Sequence, residues 1–197
     1  TLSSSNASKT WYLITTNSSI TYTAKVNGNN STLSSTSDLS CTIASTYNGK
    51  AQATSCRVTM PTVTAPSATP TFVGWNTSAS ATTNNSSYST SDGYTILTSS
   101  NTGKTWYAIT KKSSVIYSAK ISTNNGGTLS STANLSCTIA ETYNGKAQAT
   151  SCEVTMPTIT TASSVTPIFV GWNTTSGATT NNSSYNKTTN KLTLSSS

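Results

Sequence analysis

Phe72-Val-Gly-Trp-Asn-Thr is the stretch that decides the fold, because it returns as Phe169-Val-Gly-Trp-Asn-Thr. Two other stretches recur in the same order: Lys9-Thr-Trp-Tyr as Lys104-Thr-Trp-Tyr, and Cys41–Cys56 as Cys137–Cys152. The copies are therefore about 96 residues apart, whereas the repeats of a solenoid run about 20–50 residues. A copy of this length can bury its own core. The sequence predicts two tandem homologous domains, residues 1–100 and 101–197.

The composition is that of a surface protein. Only 8% of the residues are charged, and Ser, Thr and Asn dominate the chain. Such a chain would be unusual for a cytosolic enzyme but is typical of bacterial surface stalks. The net charge of +7 comes from scattered Lys and Arg, with no basic run among aromatics, so we predict no nucleic-acid partner. No apolar run reaches 18 residues, which predicts no membrane span.

The periodicity predicts an all-β fold, either a small sandwich or a grasp-like sheet. Alternating or β-branched residues mark six strands per copy. In the first copy these are Thr10–Thr15, Ile20–Val26, Leu39–Ile43, Gln52–Met60, Thr71–Trp75 and Tyr94–Thr98. Asn48-Gly49 and Asn144-Gly145 favour type I′ turns, because both positions of such a turn need positive φ.

The four cysteines predict two disulfides. Asn48-Gly49 lies midway between Cys41 and Cys56, so a two-residue hairpin there would place the two sulfurs opposite one another at bonding distance. The second copy repeats the arrangement, which predicts a bridge between Cys137 and Cys152. A zinc site is disfavoured because the chain has no His and no Cys-x-x-Cys pair. Lasting disulfides indicate an oxidising compartment, so we expect an extracellular or cell-surface location.

Catalytic constellations are missing from the sequence. Without His, no Ser–His or Cys–His pair can form. The only acids are Asp38, Asp92, Glu141 and Glu153, and none recurs in the other copy. We therefore predict a protein that is not an enzyme and has no catalytic residue, metal site or cofactor.

Aromatic residues are the candidates for ligand contact. Trp75 and Trp172 follow Phe-Val-Gly within apolar strands and are expected in the core. Trp11, Trp106, Tyr47 and Tyr143 are the candidate contacts for carbohydrate or protein, including cell-wall or host glycans. Core or hairpin packing is the competing interpretation of each.

Two Asn-x-Ser/Thr sequons recur in both copies, which gives four candidate glycosylation sites. They are Asn76, Asn85, Asn173 and Asn182.

The chain resembles the Listeria–Bacteroides repeat of internalin-type surface proteins. The run from Ile116-Tyr-Ser-Ala-Lys to Asn125-Gly-Gly, followed by Phe169-Val-Gly-Trp, is similar to the apolar strand, Asn-Gly-Gly and Gly-Trp motif of that family. Thr105-Trp-Tyr-Ala and Thr10-Trp-Tyr-Leu are similar to its closing strand. The resemblance implies small grasp-like β domains, in which a short helix is possible, that form stalk or adhesin segments.

Two phases of the repeat remain open. If Thr-Trp-Tyr closes a unit, the first copy of that strand belongs to an absent predecessor, and head-to-tail strand donation would build a filament. If Thr10-Trp-Tyr pairs instead with Ile20–Val26 through a turn at Thr16–Ser19, each unit is complete, as residues 1–100 and 101–197. Either way the sequence predicts a non-catalytic stalk, fibre or filament subunit whose partners are neighbouring repeats or copies of itself. The alternative is an adhesin module that binds through exposed aromatics.

Overall fold

The computed structural model describes residues 3–122, 127–160 and 168–196, and these residues form strands, turns and loops with no helix. The all-β prediction is confirmed. The first ten strands are β1 (Thr16–Asn17), β2 (Ile20–Asn27), β3 (Thr32–Leu33), β4 (Leu39–Ile43), β5 (Thr46–Tyr47), β6 (Ser55–Thr59), β7 (Val63–Thr64), β8 (Thr71–Asn76), β9 (Tyr88–Ser89) and β10 (Tyr94–Thr98). They are followed by β11 (Thr105–Lys112), β12 (Val115–Ala119), β13 (Thr128–Leu129), β14 (Leu135–Ile139), β15 (Thr142–Tyr143), β16 (Ser151–Thr155), β17 (Ile159–Thr160), β18 (Tyr185–Asn186) and β19 (Lys191–Ser195).

The chain divides into two compact units. The first runs to Lys111 and also includes Tyr143–Gly145, and the second comprises Lys112–Thr142 and the chain from Lys146 onward. The predicted division lay after residue 100. The first unit thus contains Thr105–Lys111, nearly all of β11.

In the first unit two antiparallel pairs form the framework. Strand β2 pairs with β4, and β6 pairs with β10. Buried side chains from these strands and from β8 and β11 make up the core. The largest completely buried side chains there are Trp75, Trp106, Leu97 and Ile109.

The second unit repeats this framework. Strand β12 pairs with β14, and β16 pairs with β19, with the same strand directions as in the first unit. Tyr117 lies opposite Cys137 as Tyr22 lies opposite Cys41.

Both predicted disulfides are present: Cys41–Cys56 and Cys137–Cys152, each with its Cα atoms 6.1 Å apart. The route to them differs from the predicted hairpin. In the first unit Cys41 lies on β4 and Cys56 on β6, and these strands belong to different sheets. The bridges therefore join two sheets, because β4 and β6 each take another strand as hydrogen-bonding partner.

Two predicted strands are not formed. Residues 10–15 are not a strand, and residues 168–173, the second copy of β8, are not a strand either. Their twins β11 and β8 both form strands and pair with each other in the first unit, with a shift of register between Ile109 and Thr110. A strand needs a neighbour for its backbone groups, and no described strand pairs with either segment.

Candidate functional site

Strand β11 completes the first unit by lying between two other strands. It pairs in parallel with β2, where Trp106 lies opposite Val26, and antiparallel with β8, where Ala108 lies opposite Trp75 and Ile109 opposite Gly74. Strand β11, which contains Thr105-Trp-Tyr, therefore closes the copy that precedes it. This is the first of the two phases that the sequence left open.

The side chains of β11 fill the core of the first unit. Trp106, Ala108 and Ile109 are completely buried, as is Trp75 on the facing strand. Burying a large apolar side chain stabilises a fold by about 1.5–3 kcal/mol. Strand β11 is therefore a major contributor to the stability of this unit.

The acceptor strand β8 is followed by a loop held by asparagine side chains. Trp75 N donates to Asn84 Oδ1 (3.0 Å), and Asn76 Nδ2 donates to Thr83 O (3.0 Å). A Cβ at Gly74 would collide with the Asn84 side chain, and φ there is +153°. Glycine is required at this position so that the loop can pack against the strand.

The turn Asn144-Gly145 is also part of the first unit. Both residues have positive φ, 55° and 78°. The Asn144 amide Nδ2 donates to Ala79 O and Ala81 O, at 3.2 Å each. Asn144 N donates to Thr110 O at 2.8 Å, which ties the turn to β11. The turn therefore holds β11 to the loop that follows β8.

The second unit contains an open cleft at the position that β11 occupies in the first. It has a volume of about 1110 Å³, and its lining includes the twins of every β2 and β8 residue that pairs with β11. Its apolar lining includes Ala119, Ile121, Leu129, Phe169, Trp172 and Leu194. Ile168 and Val170 are 78% and 55% exposed. We call this surface the acceptor cleft.

Burial in the two units differs around this cleft. Tyr22, Ala24, Trp75 and Leu97 are buried in the first unit, at 7%, 0%, 0% and 0% exposure. Their twins, Tyr117, Ala119, Trp172 and Leu194, are only half-buried. Away from the cleft, Ile43 and its twin Ile139 are both buried, at 6% and 5% exposure. The second unit is thus folded like the first, with its core open along one strip.

The segment that would fit such a strip is present at the other end of the chain. Residues 10–15, which we call the donor segment, repeat the start of β11 with a single change, Leu13 in place of Ala108. Trp11, Tyr12, Leu13 and Ile14 are 72%, 82%, 86% and 72% exposed. A contiguous apolar run this exposed is a marker of an interaction site.

The four candidate aromatic contacts divide into exposed and covered residues. Trp11 is in the donor segment, and Tyr47 is 51% exposed beside the Asn48-Gly49 turn. Trp106 is completely buried and Tyr143 is half-buried. A surface ligand can reach Trp11 and Tyr47.

The candidate glycosylation sites lie at the end of β8, in the loop that follows it, and at the twin positions of the second unit. Asn76 and Asn173 each use Nδ2 to donate to a loop carbonyl, at 3.0 Å. Asn85 and Asn182 each accept a hydrogen bond from the backbone N–H two residues later, at 2.9 Å. Their modification remains a prediction.

Sequence reasoning missed the second role of Asn144 and overlooked Asn84 and Asn181. The recurrence of Asn84 as Asn181 was the available signal for that position. Within residues 3–122, 127–160 and 168–196 no three His, Cys, Asp or Glu side chains cluster as metal ligands would. The same residues contain no helix able to cross a membrane.

No protein-family model, curated protein or solved structure matches this chain.

Proposed function

We propose that this protein is a non-catalytic structural subunit of an extracellular stalk, fibre or filament on a bacterial-type surface, and that it binds copies of itself head to tail. One observation carries the proposal. Trp11 is 72% exposed, whereas Trp106, its twin, is completely buried within a sheet of the first unit. The donor segment has the sequence of a core strand but no core around it.

The acceptor cleft of a second copy is the site that matches the donor segment. Its lining repeats the environment of β11, and the donor segment shares Thr-Trp-Tyr and Ile-Thr with β11. Addition of a strand satisfies the backbone hydrogen bonds of both chains, while the alternate side chains enter pockets. Leu13 exposes more apolar area than Ala would, so its burial adds to the driving force.

The register follows from the first unit. Ala108 lies opposite Trp75 and Trp106 opposite Val26. The equivalent pairs between two copies are Leu13 opposite Trp172 and Trp11 opposite Ile121. The donor segment would run antiparallel to residues 168–173 and parallel to residues 119–122.

This contact propagates along a fibre. The donor and the acceptor are different surfaces of one chain, so the interface is heterologous, and each added copy presents a new acceptor cleft. Heterologous contacts that do not close into a ring build filaments. The two intrachain disulfides are suited to an oxidising compartment, which supports the extracellular location. The relation to the Listeria–Bacteroides repeat stays a prediction.

Cross-linking of a concentration series tests the proposal. In the first unit Lys111 lies opposite Thr71, and the equivalent pair between copies is Thr16 and Ile168. We expect Thr16→Cys with Ile168→Cys to give a ladder of disulfide-linked oligomers in fibres seen by electron microscopy. Thr16→Cys with Thr174→Cys, in which the second cysteine lies beyond the strand, is the matched control and gives none. Monomers at every concentration would contradict the proposal.

A second candidate function is an adhesin module that binds carbohydrate or protein. It is favoured by the 51% exposure of Tyr47 beside its turn. Binding on a glycan array that Tyr47→Ala abolishes, while fibres are unchanged, would support it. If Trp11→Ala loses glycan binding together with fibres, the loss of binding would follow from the loss of the fibre. Trp11 would then be assigned to assembly.

A further inference from the structure

We infer that the turn Asn48-Gly49 is a second contact between copies, in which the Asn48 side chain binds the backbone of residues 176–178 of the next copy. This inference rests on the proposed function. It adds a polar contact that is separate from the apolar donor segment.

The contact is observed once, in the first unit. Asn144 Nδ2 donates to Ala79 O and Ala81 O, and Asn144 O accepts from Asn30 Nδ2 at 2.8 Å. Its Oδ1 accepts from Thr110 N at 3.3 Å. One asparagine side chain therefore links the end of β11 to the loop after β8.

The donor half of this contact is already formed around Asn48. Thr15 N donates to Asn48 Oδ1 at 3.4 Å, and Asn48 N donates to Thr15 O at 2.9 Å. The corresponding Asn144 distances are 3.3 and 2.8 Å. Asn48 also has φ 55°, as Asn144 does. The turn is thus fixed to the end of the donor segment in the geometry that Asn144 has beside β11.

The acceptor half is formed in the second unit. The loop after Trp172 repeats the hydrogen bonds of the loop after Trp75. Asn173 Nδ2 donates to Thr180 O at 3.0 Å, and Ala178 N donates to Thr175 O at 3.1 Å. The twins of Ala79 and Ala81 are Ser176 and Ala178. A backbone carbonyl has two lone pairs and can accept a second bond, so the Ser176 and Ala178 oxygens are suitable acceptors.

The contact would set the register of assembly. Asn48 is tied to Thr15, so it reaches residues 176–178 only when Thr15 lies opposite Phe169. A slip of two residues preserves the alternation of side chains but moves the turn by about 7 Å, beyond hydrogen-bonding distance. The apolar segment alone lacks this discrimination.

Two substitutions test the inference through the critical concentration of fibre formation, measured by sedimentation. Asn48→Asp keeps the Oδ1 acceptor for Thr15 N but removes the Nδ2 donor, and Asn48→Gly keeps the positive φ with no side chain. Loss of two hydrogen bonds raises the critical concentration about tenfold or more. We expect this rise in both variants, with the thermal unfolding of each monomer close to that of the parent chain.

The control is Asn144→Asp, which removes the same donor from the first unit. It lowers the unfolding temperature of the chain and changes the critical concentration less than Asn48→Asp does. Asn48 variants that polymerise within twofold of the parent critical concentration would overturn the inference and leave the proposed function intact. A parent chain that never polymerises would overturn both.

Discussion

Ala108 lies directly opposite Trp75 across an antiparallel strand pair, and both side chains are completely buried. The twins of these residues are Leu13 and Trp172, and they lie in segments that form no strand. The same pairing is therefore made once within the chain, while the twin segments, residues 10–15 and 168–173, pair with no strand that the structure describes. In the proposed head-to-tail assembly, both of these segments would gain a strand partner at once.

Two substitutions of Leu13 compare the effects of a smaller side chain and of a charged side chain on fibre assembly. Leu13→Ala recreates the sequence of β11 at this position and should still form fibres, because Ala is the residue opposite Trp75 in the first unit. Leu13→Asp would place a charge against Trp172 and should raise the critical concentration by about 100-fold or more. Sedimentation of both variants measures the difference. Equal assembly by the two would show that Leu13 is not buried between copies.

The disulfides should stabilise the folded units, and their removal should leave the donor segment and the acceptor cleft unchanged. Cys41→Ser with Cys56→Ser removes the bridge between the β4 and β6 sheets and should lower the free energy of unfolding by about 3 kcal/mol, since the bridge closes a short loop. Urea unfolding followed by tryptophan fluorescence measures this loss. An unchanged midpoint would mean that the bridge contributes nothing to the folded state.

The stability of the chain should fall at high pH through two buried tyrosines. Burial raises the pKa of Tyr88 and of Tyr185 above the ordinary value of 10.0. The unfolded chain loses these phenolic protons first, so stability is full below about pH 10 and is lost as pH rises through the folded-state pKa values. Urea midpoints at neutral and high pH measure the loss. Tyr88→Phe with Tyr185→Phe should lose less stability over that range than the parent, and an equal loss would contradict the assignment.

The sequence predicted local features well and strand neighbours poorly. Asn48-Gly49 forms the expected turn, with φ of 55° and 74°, because the demand for positive φ is set by these two residues alone. The cysteine spacing predicted the correct pairs but the wrong geometry for Cys41 and Cys56. Cα atoms at 6.1 Å are compatible with two facing sheets as well as with two arms of one hairpin, and spacing does not distinguish these.

The candidate site was predicted only in part, for a similar reason. Trp11 stood out in the sequence as an aromatic that could contact a ligand, but its twin Trp106 shows that this sequence fills a core. The bonds of Asn144 to Ala79 and Ala81 are formed with residues more than 60 positions away in the chain. The need for positive φ in the turn accounted for Asn144 on its own, so the sequence offered no reason to expect a second contact.

A chain that supplies its own closing strand tests whether the donor segment of one copy fills the acceptor cleft of the next. Ser196-Ser197 matches Ser99-Ser100, so a copy of residues 101–112 added after Ser197 recreates the path by which β10 leads into β11. If strand donation builds the fibre, we expect this extended chain to stay monomeric at concentrations where the parent forms fibres. We also expect it to unfold at a higher temperature. The matched control carries Asp at the added positions that copy Trp106 and Ile109, and it polymerises like the parent. Fibres from the extended chain, at the parent's critical concentration, would contradict the account.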